Sequence, residues 1–225
     1  MKINLKQVKL TFSIILIGFS ITISAQSPSQ EEFLPINPPI DFEVFASKEI
    51  LSIQNVFMRP LKKMEKFSVF NMLTYSQFYE DKNVVFVGST TLNYEVAKNL
   101  SISGGIATNS IDGIHPILGI NYAYVSKEML LILAPSIDLI DDKSLEALFL
   151  YEYKPRLSKK TSLYTRIQFL YNHNIRQDTH NRSYLNLRLG LSFNNISIGI
   201  GSNLDAFGPF KIKKENYGLF AKFLI

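Results

Sequence analysis

Residues 182–193 read RSYLNLRLGLSF, and residues 196–206 follow as ISIGIGSNLDA. In both stretches apolar residues alternate with polar or small ones, so leucines and isoleucines share one face of the chain. A period of two residues is typical of a β-strand with two chemically different faces. The short connection Asn194-Asn195 predicts a tight turn between them. These 25 residues therefore indicate an antiparallel hairpin with one apolar and one polar face.

The same alternation continues over most of the chain. It predicts ten strands at residues 66–76, 83–96, 99–109, 114–125, 128–139, 144–157, 161–173, 182–193, 196–206 and 215–225. Each stretch has about the length that a tilted strand needs to cross a bilayer. The 225 residues are 46% hydrophobic and 19% charged, with 17 Phe and 11 Tyr. This composition excludes a disordered chain and favours an all-β domain.

The alternation alone does not say which face points outward, because a soluble barrel buries the apolar face that a membrane barrel exposes to lipid. Three features favour a membrane barrel over a soluble one. Short connections alternate with mostly longer ones, the polar faces carry small residues such as Ser101, Ser103 and Gly105, and aromatic residues cluster near strand ends. The sequence therefore predicts a closed antiparallel up-and-down transmembrane β-barrel of ten strands. We expect six apolar side chains to face away from the barrel axis: Leu185, Leu187, Leu189, Ile196, Ile198 and Ile200.

The N-terminus has the pattern of a targeting segment. Lys2, Lys6 and Lys9 precede an apolar run at 10–23, and Ser24-Ala25 then gives way to a polar stretch. This pattern predicts a signal peptide at 1–25 that is cleaved after Ala25. Removing its three lysines lowers the net charge from +5 to +2, so no nucleic-acid partner is expected. The chain has no cysteine, which excludes disulfides and thiolate metal sites, and no cofactor motif is predicted.

Residues 26–65 differ from the rest because prolines and acidic residues open the segment. Either residues 47–58 form a short helix, or residues 42–46 and 49–57 add two strands and make twelve. We favour ten strands and assign 26–65 to a periplasmic extension, because Pro60 and Lys62-Lys63 interrupt a hairpin into the barrel at 66–225. The apolar residues of the extension are expected to bind a partner protein: Ile50, Ile53, Val56, Phe57 and Met58.

These features resemble the small outer-membrane β-barrel proteins of Gram-negative bacteria. The resemblance rests on a signal peptide ending Ala-Gln, an even number of strands, and a last strand that alternates as YGLFAKFLI at 217–225. It covers residues 66–225, although Ile225 replaces the usual terminal aromatic residue. The resemblance implies insertion into the outer membrane with the short turns in the periplasm.

Charged residues of both signs are predicted to line the lumen of the barrel: Glu95, Glu146, Glu152, Arg166, Arg188, Asp205 and Lys222. If the turn at 158–160 is centred on Lys159, Glu152 lies opposite Arg166, and closure of the loop 174–181 about position 177 places Arg188 beside Arg166. Two guanidinium groups with one acid are unbalanced in a low-dielectric lumen. We therefore expect a second carboxylate, from Glu146, Glu95 or Asp205, to complete a network that blocks the bore.

Three functions are compatible with this sequence. The first is a non-enzymatic barrel with a plugged lumen, a structural or accessory subunit whose partners are outer-membrane lipid and another outer-membrane or periplasmic protein. The alternative is a narrow pore for small solutes. The third is a hydrolase at the long-loop rim, where imidazoles and carboxylates could activate water. Its candidate residues are His115, His173, His180, Asp112, Asp138, Asp141, Asp142 and Asp178. Solvated loop residues explain this set better, and no GxSxG motif is present.

Overall fold

The computed structural model describes residues 40–80, 83–110, 113–140 and 144–225. The predicted signal peptide at 1–25 and residues 26–39 of the predicted extension lie outside these ranges. The described residues form twelve strands: β1 Asp41–Ser47, β2 Ile50–Leu61, β3 Met64–Phe78, β4 Val84–Ala97, β5 Leu100–Asn109, β6 Gly113–Val125, β7 Met129–Asp138, β8 Ser144–Tyr153, β9 Thr161–Asn174, β10 Thr179–Phe193, β11 Ile196–Phe207 and β12 Ile212–Leu224. Among the described residues, no helix is long and apolar enough to cross a membrane.

The strands form a closed antiparallel barrel in which each strand pairs with its neighbours along the chain. Closure comes from β1 and β12, with Asp41 opposite Leu224 and Ser47 opposite Gly218. Backbone hydrogen bonds between Ile40 and Ile225 extend this seam by one pair, with N···O distances of 2.8 and 3.0 Å. We call the end of the barrel that holds Ile40 and Ile225 the terminal rim, and the opposite end the loop rim.

The prediction of ten strands is wrong, and its twelve-strand alternative is correct. β1 and β2 belong to the barrel wall, so residues 41–61 are neither a periplasmic extension nor a short helix. Pro60 does not prevent the hairpin because it lies near the end of β2, opposite Ser68, where the register shifts before Leu61. Proline is tolerated at such irregular strand ends, and Lys62-Lys63 form the turn.

The connections follow the predicted topology but differ less in length than expected. Both ends of the described wall, Ile40 and Ile225, lie on the terminal rim with the turns at 98–99, 126–128 and 194–195. One longer connection, at 154–160, lies on this same rim, because β8 ends at Tyr153 and only an isolated bridge between Arg156 and Ser162 follows.

The outer face of the wall is apolar. Leu189, Ile198 and Ile200 are 51%, 50% and 59% exposed, and Leu187 and Ile196 are also exposed, as the alternation predicts, whereas Leu185 is half-buried. Aromatic side chains on this face lie near the ends of strands, as Phe193 and Phe223 do at the terminal rim. An apolar band between aromatic residues is the outer surface of a membrane β-barrel.

Candidate functional site

The lumen is filled by side chains that reach across it from opposite walls. The amide Nε2 of Gln168 on β9 lies 3.5 Å from the sulfur of Met72 on β3. Around this contact lies one apolar cluster of buried side chains from six strands: Val56, Phe70, Met72, Ile132, Leu148, Leu150, Leu170 and Tyr184. If water filled the bore, these side chains would be exposed. They are buried, so the lumen is closed at this level.

Ionised side chains fill the lumen closer to the terminal rim. We call this group the charged cluster: Asp41, Glu43, Glu152, Arg166, Arg188 and Lys222. Glu43 is central, because its Oε1 accepts hydrogen bonds from Arg166 Nη2 at 2.6 Å and Arg188 Nε at 3.0 Å. Both arginines and Glu43 are buried, so one carboxylate oxygen holds two guanidinium groups without water between them.

The second half of the charged cluster links β12 to β8 across the lumen. Lys222, 1% exposed, donates to Glu152 Oε1 at 2.6 Å and contacts Asp41 Oδ2 at 2.5 Å. The hydroxyl of Tyr164 also donates to Glu152, and Lys154 approaches the other Glu152 oxygen at 3.1 Å. With Lys154 at its edge, the cluster pairs three carboxylates with four cations. Multiple partners per charge are what a buried ion network needs to offset desolvation.

Local sequence explains how Arg188 fits. A Cβ atom built on Gly201 would lie 2.7 Å from Cδ of Arg188, so this position on β11 has room only for glycine. Arg188 Nη1 donates to the carbonyls of Leu187 and Ser202 at 2.9 and 3.0 Å. Its guanidinium carbon lies 4.4 Å from the centre of the Phe45 ring, within the range of a cation–π interaction.

The structure brings together four of the seven predicted lumen residues: Glu152, Arg166, Arg188 and Lys222. The register places Glu152 opposite Arg166, and Arg188 opposite Arg166, as the turn positions predict. Glu95 is instead exposed and accepts a hydrogen bond from the backbone N–H of Asn99 at 3.1 Å. Glu146 accepts from Asn172, and Asp205 binds Arg182 at 2.7 Å.

The second carboxylate is Glu43, which sequence reasoning missed. Glu43 lies on β1, one of the two strands that were assigned to the extension. The signal that could have found it is the short alternation of residues 41–45, where Asp41, Glu43 and Phe45 share one face. Assigning β1 to the wall would have placed Glu43 opposite Lys222, as the structure does.

The predicted partner-binding residues do not form a separate surface. Ile50 and Val56 are buried within the barrel, and Met58 packs against the apolar cluster. Ile53 and Phe57 occupy the alternate positions of β2, and Ile53 lines a groove of about 300 Å³ on the outer face with Phe42, Leu73 and Tyr75. The assignment of these five residues to a periplasmic surface is corrected because β2 is part of the wall.

The predicted rim residues are divided between different places. His115 Nε2 contacts Asp138 Oδ1 at 3.0 Å, and His173 Nε2 contacts the exposed Asp178 at 3.2 Å. The ring of His180 lies 5.7 Å from that of Tyr171. Asp112, Asp141 and Asp142 lie outside the described residues. Within the described ranges, no group of three or more His, Asp or Glu side chains could hold a metal ion.

One sector of the inner wall, on β4 to β6, carries small polar side chains instead. We call it the small sector: Ser89, Thr91, Asn93, Ser103 and Asn121, all inward-facing. Thr91, Asn93, Ser103 and Asn121 are buried. Between this sector and Phe70, Glu146 and Leu148 lies a cavity of about 20 Å³. That volume holds about one water molecule.

A closed antiparallel barrel with an apolar outside and a charged inside defines a β-barrel of the outer-membrane type, which confirms the resemblance drawn from the sequence. No protein-family model matches the chain, and no curated protein matches it.

Solved structures with a similar fold include two porins and one further barrel. The NanC porin is 8% identical, with 83% of this chain and 100% of that chain covered and a TM-score of 0.48. The KdgM porin is 11% identical, with coverages of 82% and 97% and a TM-score of 0.45. The outer-membrane expressed OmpT of Vibrio cholerae is 7% identical, with coverages of 83% and 95% and a TM-score of 0.37. Similarity at this level carries no argument about function.

Proposed function

We propose that this chain spans the bacterial outer membrane as a barrel whose lumen is closed by its own side chains, and that it serves as a structural or accessory subunit. The apolar outer face supports a location in the membrane. Transfer of one exposed Leu or Ile side chain out of water is worth about 1.5–3 kcal/mol. Leu189, Ile198 and Ile200 are three of many such side chains on this face, so a lipid environment stabilises the barrel strongly.

The observation that carries the closed lumen is contact across the bore at two successive levels. Gln168 meets Met72 within the apolar cluster, and Lys222 meets Glu152 within the charged cluster. A solute would have to displace both layers. Removing one partner from a buried ion pair costs about 3–5 kcal/mol, so separating these charges without replacing their partners is unfavourable.

A narrow pore for small solutes is the second candidate. Within the chain itself, the small sector favours it. Its short serine and threonine side chains leave a cavity of about 20 Å³ next to the wall. A path for solutes through the lumen would therefore open first along this sector.

A liposome-swelling assay separates the two candidates. Purified protein is reconstituted into vesicles loaded with an impermeant polymer, and glycine, arabinose and glucose are added outside in turn. A closed barrel gives the swelling rate of protein-free vesicles for all three solutes. A pore gives faster swelling that falls with solute size.

The matched control is a double variant in the apolar cluster, Phe70→Ser with Met72→Ser, which shortens two side chains that reach across the lumen. If vesicles with this variant swell and vesicles with the wild-type protein do not, solutes pass through a lumen that the wild-type side chains close. Size-dependent swelling of the wild-type protein would contradict the proposal. Crosslinking in native outer membranes then tests for the partner that an accessory subunit requires.

A further inference from the structure

The start of β10 contains an irregularity that changes which side chains share a face. In a regular strand, residues three apart point to opposite faces of the sheet. The register of β10 against β9 shifts between His180 and Arg182, which is a β-bulge or similar irregularity. A bulge re-aims the side chains around it. His180 and Ser183 therefore meet, although their spacing in the sequence would separate them.

The two side chains form a hydrogen-bonded pair with a defined direction. His180 Nδ1 lies 2.8 Å from the carbonyl oxygen of Gly208, and His180 Nε2 lies 3.1 Å from Ser183 Oγ. A carbonyl oxygen only accepts, so Nδ1 carries the proton and donates it to Gly208. In the neutral ring Nε2 then has the free lone pair and accepts the hydroxyl proton of Ser183.

The pair lies on the outer face of the wall, close to the loop rim. Ser183 has the same parity as Leu187 and Leu189, which are exposed on the outer face, and it lies opposite Tyr171. His180 is 6% exposed, and its ring lies 5.7 Å from the ring of Tyr171. β10 begins at Thr179, so Ser183 lies about four residues, or roughly 13 Å of strand, from the rim. An aromatic residue near the strand end marks the level of the lipid headgroup boundary, where the acyl esters of lipids lie.

We propose that Ser183 and His180 are a nucleophile and general base that hydrolyse the carboxylic esters of membrane lipids. Ser183 Oγ attacks the ester carbonyl while His180 Nε2 takes its proton, which gives a tetrahedral intermediate. The C–O bond to the alcohol then breaks, and His180 returns the proton to the departing alkoxide. Water, activated by the same nitrogen, hydrolyses the acyl-serine and releases the fatty acid and free Ser183.

This inference goes beyond the proposed function, which concerns the lumen, and it would replace the expectation of a non-enzymatic barrel. The Gly208 carbonyl has the positioning role, because it fixes the tautomer that leaves Nε2 free. The orientation of the imidazole therefore depends on the β11–β12 connection at 208–211, far from Ser183 in the sequence.

Two readouts test the pair, the first on the mature protein in detergent and the second on the same protein reconstituted into vesicles. The first is covalent labelling by a fluorophosphonate probe, with the modified residue located by peptide mass spectrometry. The second is release of fatty acid from vesicles of palmitoyl-oleoyl phosphatidylglycerol. The variants are Ser183→Ala and His180→Asn, with His173→Asn, the histidine opposite His180 on β9, as the matched control. Heat-induced unfolding of each variant shows whether the barrel is intact.

The wild-type protein is expected to be labelled at Ser183 and to release fatty acid. Ser183→Ala loses the label, and His180→Asn lowers both rates by about 10²–10⁴-fold, the usual contribution of a positioned base. His173→Asn keeps both rates. No label at Ser183, no fatty-acid release by the wild-type protein, or equal rates in His180→Asn would each overturn the proposal. None of these results bears on whether the lumen conducts, so the two proposals fail separately.

Discussion

Two sectors of the same inner wall fill the lumen in different ways. The charged cluster uses long side chains from β1, β8, β9, β10 and β12, which extend into the lumen and end on one another. The small sector on β4 to β6 uses side chains such as Ser103 and Thr91, which remain close to the wall. The backbone is the same antiparallel ladder in both sectors. The difference shows that side-chain length, and not the number of strands, decides where this barrel is closed.

The two sectors should also contribute differently to the stability of the barrel. Five of the six residues of the charged cluster are buried, and Asp41 is half-buried. Each depends on partners from other strands, so the loss of one partner weakens the pairing of another charge. The hydroxyl of Thr91, in the small sector, donates to Oδ1 of Asn93 two residues along the same strand, at 3.0 Å. We therefore expect substitutions in the charged cluster to have much larger effects on stability than those in the small sector.

The largest effect is expected for Glu43→Ala. This change leaves Arg166 and Arg188 buried with no carboxylate between them, and the free energy of unfolding should fall by about 3–5 kcal/mol. Urea unfolding in lipid vesicles measures it. The control is Glu65→Ala, an exposed acid at the start of β3, which should change stability by less than about 0.5 kcal/mol. Equal effects of the two variants would mean that the charged cluster contributes nothing to stability.

A charge on the outer face should be costly because it has no cluster to join. Ile200 is next to Gly201 in the sequence but points to the opposite face. Ile200→Arg near the middle of β11 should destabilise the barrel by about 2–4 kcal/mol in vesicles, whereas Ile196→Arg at the terminal rim should cost about 0–1 kcal/mol. Unfolding of both variants in vesicles tests this dependence on depth. Equal losses of stability for the two variants would mean that the middle of the bilayer does not lie at the level of Ile200.

The space beside Arg188 can be tested with one added methyl group. Gly201→Ala places a Cβ atom about 2.7 Å from Arg188 Cδ, so the arginine side chain must shift. We expect a loss of about 1–3 kcal/mol, as for overpacking elsewhere. The matched control is Gly104→Ala, whose Cβ would meet a flexible Leu118 methyl group at 3.3 Å. A neutral Gly201→Ala would show that Arg188 can be accommodated in a second position.

The smallest effect is expected in the small sector. Thr91→Val keeps the shape of the side chain but removes its hydrogen bond to Asn93, and this should cost about 1 kcal/mol. The same unfolding assay measures it. A loss as large as that of Glu43→Ala would contradict the distinction between the two sectors.

Alternation in the sequence predicts most of the wall because a membrane barrel needs opposite chemistry on its two faces along every strand. The ten predicted strands correspond to β3 to β12, and the register around Arg166 follows from the turn positions alone. β1 and β2 were missed because Pro60 and Lys62-Lys63 look like breaks. A strand can end in a proline and a charged turn when both lie at the rim.

The partners of the charged cluster could not all be predicted, because they are set by closure of the barrel. Glu43 reaches Arg166 only when β1 pairs with β12, which joins the two ends of the described wall. The contact between His180 and Ser183 was also invisible, because it depends on a register shift and on the distant carbonyl of Gly208. Local sequence patterns predict which face a side chain points to and which residues lie beside it on adjacent strands. Contacts across the lumen can be predicted only when all the strands of the closed barrel are known.

The central claim is that side chains close the lumen, and single-channel recording tests it most directly. Refolded wild-type protein is inserted into a planar lipid bilayer in 1 M potassium chloride, beside the Phe70→Ser, Met72→Ser variant. The closed barrel predicts no stable current steps for the wild-type protein and frequent steps for the variant. Stable current steps of uniform size in the wild-type protein would contradict the account, and the chain would then be a pore.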